Sequence, residues 1–417
     1  MRSLKTIPNK RRLVLAACLL GLVSGLAGIL LHYLLELVEG LAFGRSEHQS
    51  GFLTDGVAPS RILLSLFLVG ASSALVWYLL QRKGNILSVK GQMKEESSCT
   101  RLHFWKQMLH STWQIIAVGA GAPVGKEGAP REIGALLAPP LGRVLDLSFQ
   151  DRMFLIACGA GAGLAAVYQV PLTSVFFIFE TLGLAFSIKR FVLAGITTYV
   201  AAYTAGWVIS DRAIYQVSEI TWSPTVLWQM LIGIVILTPV AWLFSRFTKK
   251  ASIYRIKDKR MLITLPLAFV FLAGLASFQP HLLGNGRMMA QEILNGATWQ
   301  TIFLLLTLKA LVVLLTFWAG AYGGTLTPSF ALGMAGAALI SLVLGFGNAP
   351  AFLLLGSVCF LTVTLKAPLS ATGLVLGFTG QGLTALPYLL LTAIVTFGLT
   401  QGFDRLIRRK IKEFLAR

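Results

Sequence analysis

Long apolar runs alternate with short polar loops along the chain, and several of the runs are interrupted from within by glycine and proline. Residues 13–42 form the first apolar segment, with Gly21, Gly25 and Gly28 at helical spacing, a pattern that marks close helix packing. Residues 43–60 are polar and poor in basic residues, and 61–80 read as a span. Residues 81–106 are polar and carry Arg82, Lys83, Lys90, Lys94, Arg101 and Lys106. Residues 107–147 predict a pair of helices broken in the middle, and 152–186 a helix broken at Pro171. Residues 189–210 and 222–245 predict ordinary spans, followed by a basic loop over 246–260. Beyond it the pattern predicts an apolar helix over 261–279, a polar loop over 280–292 and a span over 299–320. A second Gly/Pro interruption lies at 319–339, and a further break in 350–380 falls in Leu-Lys-Ala-Pro-Leu-Ser.

The interruptions recur with a matched spacing. Pro130 follows a Gly-rich break and Pro171 lies 41 residues later, in Gln-Val-Pro-Leu-Thr-Ser; Pro328 follows a Gly-rich break and Pro368 lies 40 residues later, in Lys-Ala-Pro-Leu-Ser-Ala. Paired helix breaks at corresponding places in two halves point to a transport site at mid-membrane. The chain therefore reads as one transmembrane domain of two halves, about 1–230 and 231–417, with no soluble domain after the last span.

Composition sharpens the class. Hydrophobic residues make up 55% of the chain and charged residues 13%, against about 25% charged in soluble domains, so the expectation is an all-α polytopic membrane protein. The net charge of +19 does not point to nucleic acid, because half of the 36 basic residues sit in three clusters at the ends of spans: Arg2 to Arg12, Arg246 to Arg260 and Arg405 to Arg417. The positive-inside rule places all three in the cytoplasm, with both termini inside and an even number of crossings of a bacterial inner or plasma membrane. The four cysteines and five histidines show no metal-ligand spacing, and no cofactor motif stands out. His-Glu-x-x-His and Gly-x-Ser-x-Gly are missing, so a membrane enzyme is disfavoured; His110-Ser111 is only a sequence neighbour pair. A scaffold or insertion factor explains the apolar mass but not glutamates at paired helix breaks.

The candidate chemistry lies in residues 117–147. There Lys126, Glu127, Arg131 and Glu132 interrupt an apolar run, although a charge in hydrocarbon costs from about 3 to over 10 kcal/mol. Gly125 and Gly128 allow close backbone approach. Pro123 and Pro130 break the incoming helix and set the start of the next near Ala129. The first amides of that helix carry partial positive charge and need an anion. A carboxylate at such a terminus can fill the need and be displaced by a free anion. The competing structural reading is an i, i+4 ion pair of Glu127 with Arg131. Glu132 and Glu180 read as structural, capping helices or bonding backbone in the breaks.

Gly125-Lys126-Glu127-Gly128-Ala129, then Cys158-Gly-Ala-Gly-Ala-Gly-Leu-Ala-Ala, then Gly323-Gly324-Thr325-Leu326-Thr327-Pro328 resemble the motifs of the CLC chloride channel and transporter family, in a prokaryotic-type member without cytoplasmic regulatory domains. Lys309, in the helix before the third motif, fits the same pattern. The resemblance covers most of the chain from about residue 60. It implies a CLC-type fold of two inverted halves, a homodimer with one pore per subunit, and an inorganic anion as cargo, chloride or, alternatively, fluoride. It assigns Glu127 the role of gate, often operated by a proton. It gives anion-binding positions to Gly125, Lys126, Gly128, Gly324, Thr325 and Leu326.

The chain departs from the family at four places. The first anion motif should fall at 84–89, where Gly84-Asn85-Ile86-Leu87-Ser88-Val89 stands; Asn85, Ile86 and Ser88 are the candidates there. Leu326 replaces the usual phenylalanine. The tyrosine of the inner gate has Phe403 as its nearest counterpart. The internal proton-transfer glutamate of coupled members falls on Thr181, beside Glu180. A threonine hydroxyl does not titrate near neutral pH, so these residues predict a channel or a loosely proton-coupled transporter. A proton-coupled fluoride or chloride antiporter is the alternative.

Overall fold

The computed structural model describes residues 9–46, 52–82, 84, 86–94, 101–210, 213–217, 220, 222–346 and 350–415. Asn85 lies outside them. The described chain is helical throughout, and seven helices are long and apolar enough to cross a membrane. In the first half, α1 (Asn9–Phe43) and α2 (Pro59–Arg82) are long spans, α3 (Val89–Lys94) is a short turn, and α4 (Arg101–Gly119) leads into the first break. Beyond it come α5 (Gly128–Val144), α6 (Phe149–Tyr168), α7 (Pro171–Leu182) and α8 (Ile188–Gly206). The second half runs α9 (Pro224–Ile253), α10 (Met261–Ala276), α11 (Arg287–Leu294) and α12 (Trp299–Ala319). After the second break follow α13 (Leu326–Val343), α14 (Pro350–Leu365), α15 (Pro368–Thr379) and α16 (Leu386–Leu415). The segment expected to be one helix broken at Pro171 is two helices, and Pro171 opens the second. There its missing N–H is no loss, because the first-turn amides have no intrahelical acceptor.

The same backbone features recur in order. Gly121 and Gly320 both have positive φ, at 106° and 132°, just past the ends of α4 and α12. Pro130 and Pro328 each stand third in their helix. Gln169 and Lys366 each adopt a left-handed conformation, φ 54° and 56°, two residues before Pro171 and Pro368. Non-glycine residues enter that region at a cost, and here both do so at the same step of the pattern, where a helix reverses into the next.

Glycines set the packing around the breaks. A Cβ on Gly134 would fall on the carbonyl oxygen of Gly159, and one on Gly163 on that of Pro130, so α5 and α6 touch backbone to backbone. Gly333 of α13 and Gly356 of α14 make the matching contact. Gly21 and Gly25 bring α1 against Thr197 and Ala201 of α8, which is the packing role their spacing predicts. In lipid, where no hydrophobic force separates helix from solvent, such small-residue contacts carry much of the association.

Contacts between ends orient the molecule. The Arg12 guanidinium donates to the carbonyls of Leu145 and Asp146 beyond α5. The Ile256 amide donates to Trp318 O, and the Thr264 hydroxyl to Ala319 O, at the end of α12. The start of α1 is thus tied to the end of α5, and the loop 254–260 and the start of α10 to the end of α12. Lys309, buried in α12, donates from Nζ to the carbonyls of Leu282 and Gly284 at 2.8 and 2.6 Å. The Gly284 amide in turn donates to Gly121 O, which fixes the approach to the first break. Lys309→Met removes both donors from buried carbonyls and is expected to cost about 2–4 kcal/mol, read as a lower melting midpoint of the purified protein in detergent.

Candidate functional site

Two helices begin at the centre of the molecule, α5 at Gly128 and α13 at Leu326. The segments before them are joined: Gly125 N–H donates to Gly324 O and Gly324 N–H to Gly125 O, both at 2.8 Å, in one antiparallel bridge. The bridge pairs equivalent positions of the two breaks. Glu127 immediately precedes α5, yet its side chain caps no amide of that helix. It crosses instead to the other half, where Oε1 accepts the Leu326 N–H at 2.6 Å, the first amide of α13. Glu127 is fully buried, and its Oε2 has no hydrogen-bond partner in the structure.

The two glycines make room for this carboxylate. A Cβ on Gly125 would overlap both carboxylate oxygens, and one on Gly324 would overlap Oε1 and the carboxyl carbon. A side chain at either position would therefore evict the carboxylate. The first amides of α13 add partial positive charge of about half an elementary charge. The cradle thus fits a carboxylate or a small anion, and offers backbone dipoles rather than a buried full cation.

Arg131 does not pair with the Glu127 carboxylate. Its Nε donates to the Glu127 backbone carbonyl at 2.8 Å, and its guanidinium lies 5.4 Å from the centre of the Phe177 ring. The i, i+4 geometry that makes an ion pair reasonable on paper is used for a backbone bond, which leaves the carboxylate to α13.

The remaining candidates spread out from this centre. Gly128 packs against Gln114 Oε1 of α4. Lys126 is half-buried and lines a cavity of about 230 Å³ with His32, Glu36, Glu39, Tyr168 and Arg287. Thr325 precedes α13, and its carbonyl accepts from Ser329 N–H. Ser88 is exposed and its hydroxyl accepts the Gly91 N–H of α3. The half-buried Ile86 belongs to the same strap, which Gln107 holds by bonding both the amide and the carbonyl of Leu87, and Lys106 by bonding Gly84 O. Phe403 packs on Trp242 of α9, ring centres 6.2 Å apart, within the unbroken α16.

Glu180 accepts from Leu369 N–H at 3.0 Å and from Ser370 N–H and Oγ at 2.8 and 2.6 Å. It thereby caps α15, so a second glutamate of the first half closes a helix start of the second. Thr181 Oγ1 is buried without a partner. Glu132 departs from the expected backbone role. Its Oε2 accepts from Ser111 Oγ at 2.8 Å and Gln114 Nε2 at 2.9 Å and lies 3.4 Å from His110 Nδ1. The sequence reading set His110-Ser111 aside as a neighbour pair and did not consider Gln114; the signal was the spacing that puts His110 and Gln114 one turn apart on one helix.

Comparison with known proteins gives the family. The family model described as voltage gated chloride channel matches residues 69–401. A putative chloride channel protein ClcB-like from Ralstonia nicotianae is 25% identical over 70% of this chain and 71% of its own length. The H(+)/Cl(-) exchange transporter ClcA of Cronobacter sakazakii is 25% identical over 91% and 84%. Among solved structures, a slow cyanobacterial Cl-/H+ antiporter superposes with a TM-score of 0.79 at 19% identity, covering 96% of this chain and 98% of that one. A CLC-type fluoride/proton antiporter gives 0.67 at 17%, covering 94% and 95%. Paired helix breaks, the Glu127 cradle and a family match over most of the length converge on one assignment: this polytopic membrane protein belongs to the voltage gated chloride channel family.

Proposed function

We propose that the chain carries chloride across the membrane through a pathway gated by Glu127, as a channel or a loosely proton-coupled transporter. The observation that carries this reading is the Glu127 carboxylate on the Leu326 amide, in a cradle lined by Gly125 and Gly324. An anion that takes the place of the carboxylate meets the same amides and the same dipole. Protonation removes the charge those dipoles hold, so acidification favours release of the side chain and entry of the anion. Residues 1–230 and 231–417 act as two inverted halves whose helix starts share this site. The positively charged face is cytoplasmic, with both termini on it, and the working unit is a homodimer, to be checked by single-molecule subunit counting in lipid.

The alternative reading is a proton-coupled antiporter of fluoride or chloride. Similarity to solved antiporters of both ions supports keeping it. Potassium chloride- and potassium fluoride-loaded proteoliposomes with valinomycin separate the cases. Chloride efflux well above fluoride efflux supports the first reading; selective fluoride efflux, or no anion efflux, overturns it.

A further inference from the structure

A proton that crosses between the basic face and Glu127 needs a titratable group on the way, and Thr181 does not titrate near neutral pH. The structure offers another group. Glu132 lies five residues beyond Glu127 on α5, about 7.5 Å further along the helix axis, toward the end that Arg12 of the N-terminal basic cluster bonds. We propose that Glu132 and His110 form an internal proton relay that loads and unloads Glu127 from the basic face, a proposal that rests on the gating role of Glu127.

Several observations meet at this pair. The Glu132 carboxylate gathers Ser111, Gln114 and His110, all from α4. Its side chain keeps 18% of its surface open, whereas His110 is fully buried. His110 Nε2 has no partner, so the imidazole has a nitrogen to spare for a proton or a water. Gln114 touches both ends of the route: Nε2 holds Glu132, and Oε1 packs on Gly128, next to Glu127. On the other side Tyr322 sets its ring edge-on to His110 at 4.5 Å. The Tyr322 hydroxyl donates to Gln81 Oε1 at 2.9 Å, in the last turn of α2, and Arg255 stacks 3.8 Å over its ring. Tyr322 also stands two residues before Gly324 of the cradle. Contacts thus run from the loop 254–260 through the Tyr322 and His110 rings to Glu132, Gln114 and the start of α5.

The charged and titratable groups that bear on Glu132 are His110 of α4, Arg131 of its own helix, Tyr322 of the loop and, behind Tyr322, Arg255. Arg131 is turned to the Glu127 carbonyl and Phe177. Arg255 sits behind the Tyr322 ring, so His110 is the one titratable base in direct contact with the carboxylate among the described residues. The step itself is simple. A hydronium ion at the basic face gives a proton to the Glu132–His110 pair and becomes water; the pair passes that proton along Gln114, by way of solvent water, to Glu127 Oε2. One proton moves, no bond between heavy atoms changes, and the pair returns to its starting state.

A plain packing role predicts different behaviour, and flux stoichiometry tells the two apart. In potassium chloride-loaded proteoliposomes with valinomycin, proton uptake is followed with a pH dye and chloride efflux with an electrode. Wild-type protein is expected to move both. Glu132→Gln should keep chloride efflux within about threefold while proton flux falls about tenfold or more, and Glu132→Asp should recover part of the proton flux. Thr181→Ala should leave the ratio unchanged. An unchanged proton-to-chloride ratio in Glu132→Gln, no proton flux in the wild type, or loss of proton flux in Thr181→Ala would each overturn the relay. If Glu132→Gln does not run as a single species on gel filtration, His110→Gln decides in its place, a normal ratio again overturning the relay. Glu127→Gln keeps the two proposals distinct: a normal pH response in that variant refutes the gate, whereas a lost response there with a normal ratio in Glu132→Gln refutes only the relay.

Discussion

Glu127→Gln is expected to remove the pH dependence of chloride flux altogether and to raise flux at neutral pH to the level the wild type reaches in acid. Glutamine is isosteric with glutamate but carries no charge, so it mimics the protonated gate at every pH. In the wild type, Oε1 takes the Leu326 N–H at 2.6 Å in a site closed to solvent. A bond to a charged acceptor is worth about 1.5–3 kcal/mol. Glutamine keeps an acceptor oxygen but makes only a neutral bond of about 0.5–1.5 kcal/mol, so the open gate is favoured by roughly tenfold, since 1.4 kcal/mol is about tenfold in an equilibrium. The sign is fixed by the geometry. Only the ionised carboxylate competes with chloride for the positive end of α13, so flux rises as pH falls, and the rise disappears when nothing is left to protonate. Radiotracer chloride uptake into proteoliposomes between pH 4.5 and 7.5 measures both effects. A variant that keeps the wild-type pH profile would exclude Glu127 as the gate.

Much of this site was legible before any coordinates. Gly125, Gly128, Pro130 and the charges between them interrupt an apolar run, and no soluble-protein pattern explains a glutamate there. The matched Pro130/Pro171 and Pro328/Pro368 spacings reappear as matched backbone geometry, down to the left-handed Gln169 and Lys366. What the pattern does not carry is the partner of Glu127. Local reasoning considers neighbours on the same helix and therefore weighs Arg131, whereas the observed acceptor–donor pair spans 199 residues. Only the bridge between Gly125 and Gly324 brings that amide within reach. Glu132 shows the same limit: Gln114 and Ser111 on α4 precede it by 18 and 21 residues across a break, so its role is set by packing. Ser88 and Phe403 enter by correspondence alone: the Ser88 hydroxyl accepts the Gly91 N–H of α3, which leaves its own proton for another acceptor, and the Phe403 ring packs on Trp242.

Gly324→Ala is the more severe change, although it adds a single methyl group. A Cβ at that position would coincide with Glu127 Oε1 and the carboxyl carbon, so the ionised gate cannot occupy its site. The backbone is not free to step aside, because Gly324 is paired in both directions with Gly125. Removing the gate by itself should open the path, as in Glu127→Gln. The methyl group, however, stands where the carboxylate oxygen stood, and an anion bound to the Leu326 amide needs that same space. Overpacking in a tight, bonded site costs about 1–3 kcal/mol. Chloride flux is therefore expected to fall about tenfold or more at every pH. The double variant Glu127→Ala/Gly324→Ala separates the two effects of the methyl group. If its only action were to expel the carboxylate, the double variant would conduct as well as Glu127→Ala. If the cradle is the anion site, flux stays low in both backgrounds, because deleting the carboxylate does not return the space to the ion. Parallel flux measurements on the four proteins, normalised to folded protein by gel filtration, give the answer; high flux in the double variant would move the anion site away from Gly324.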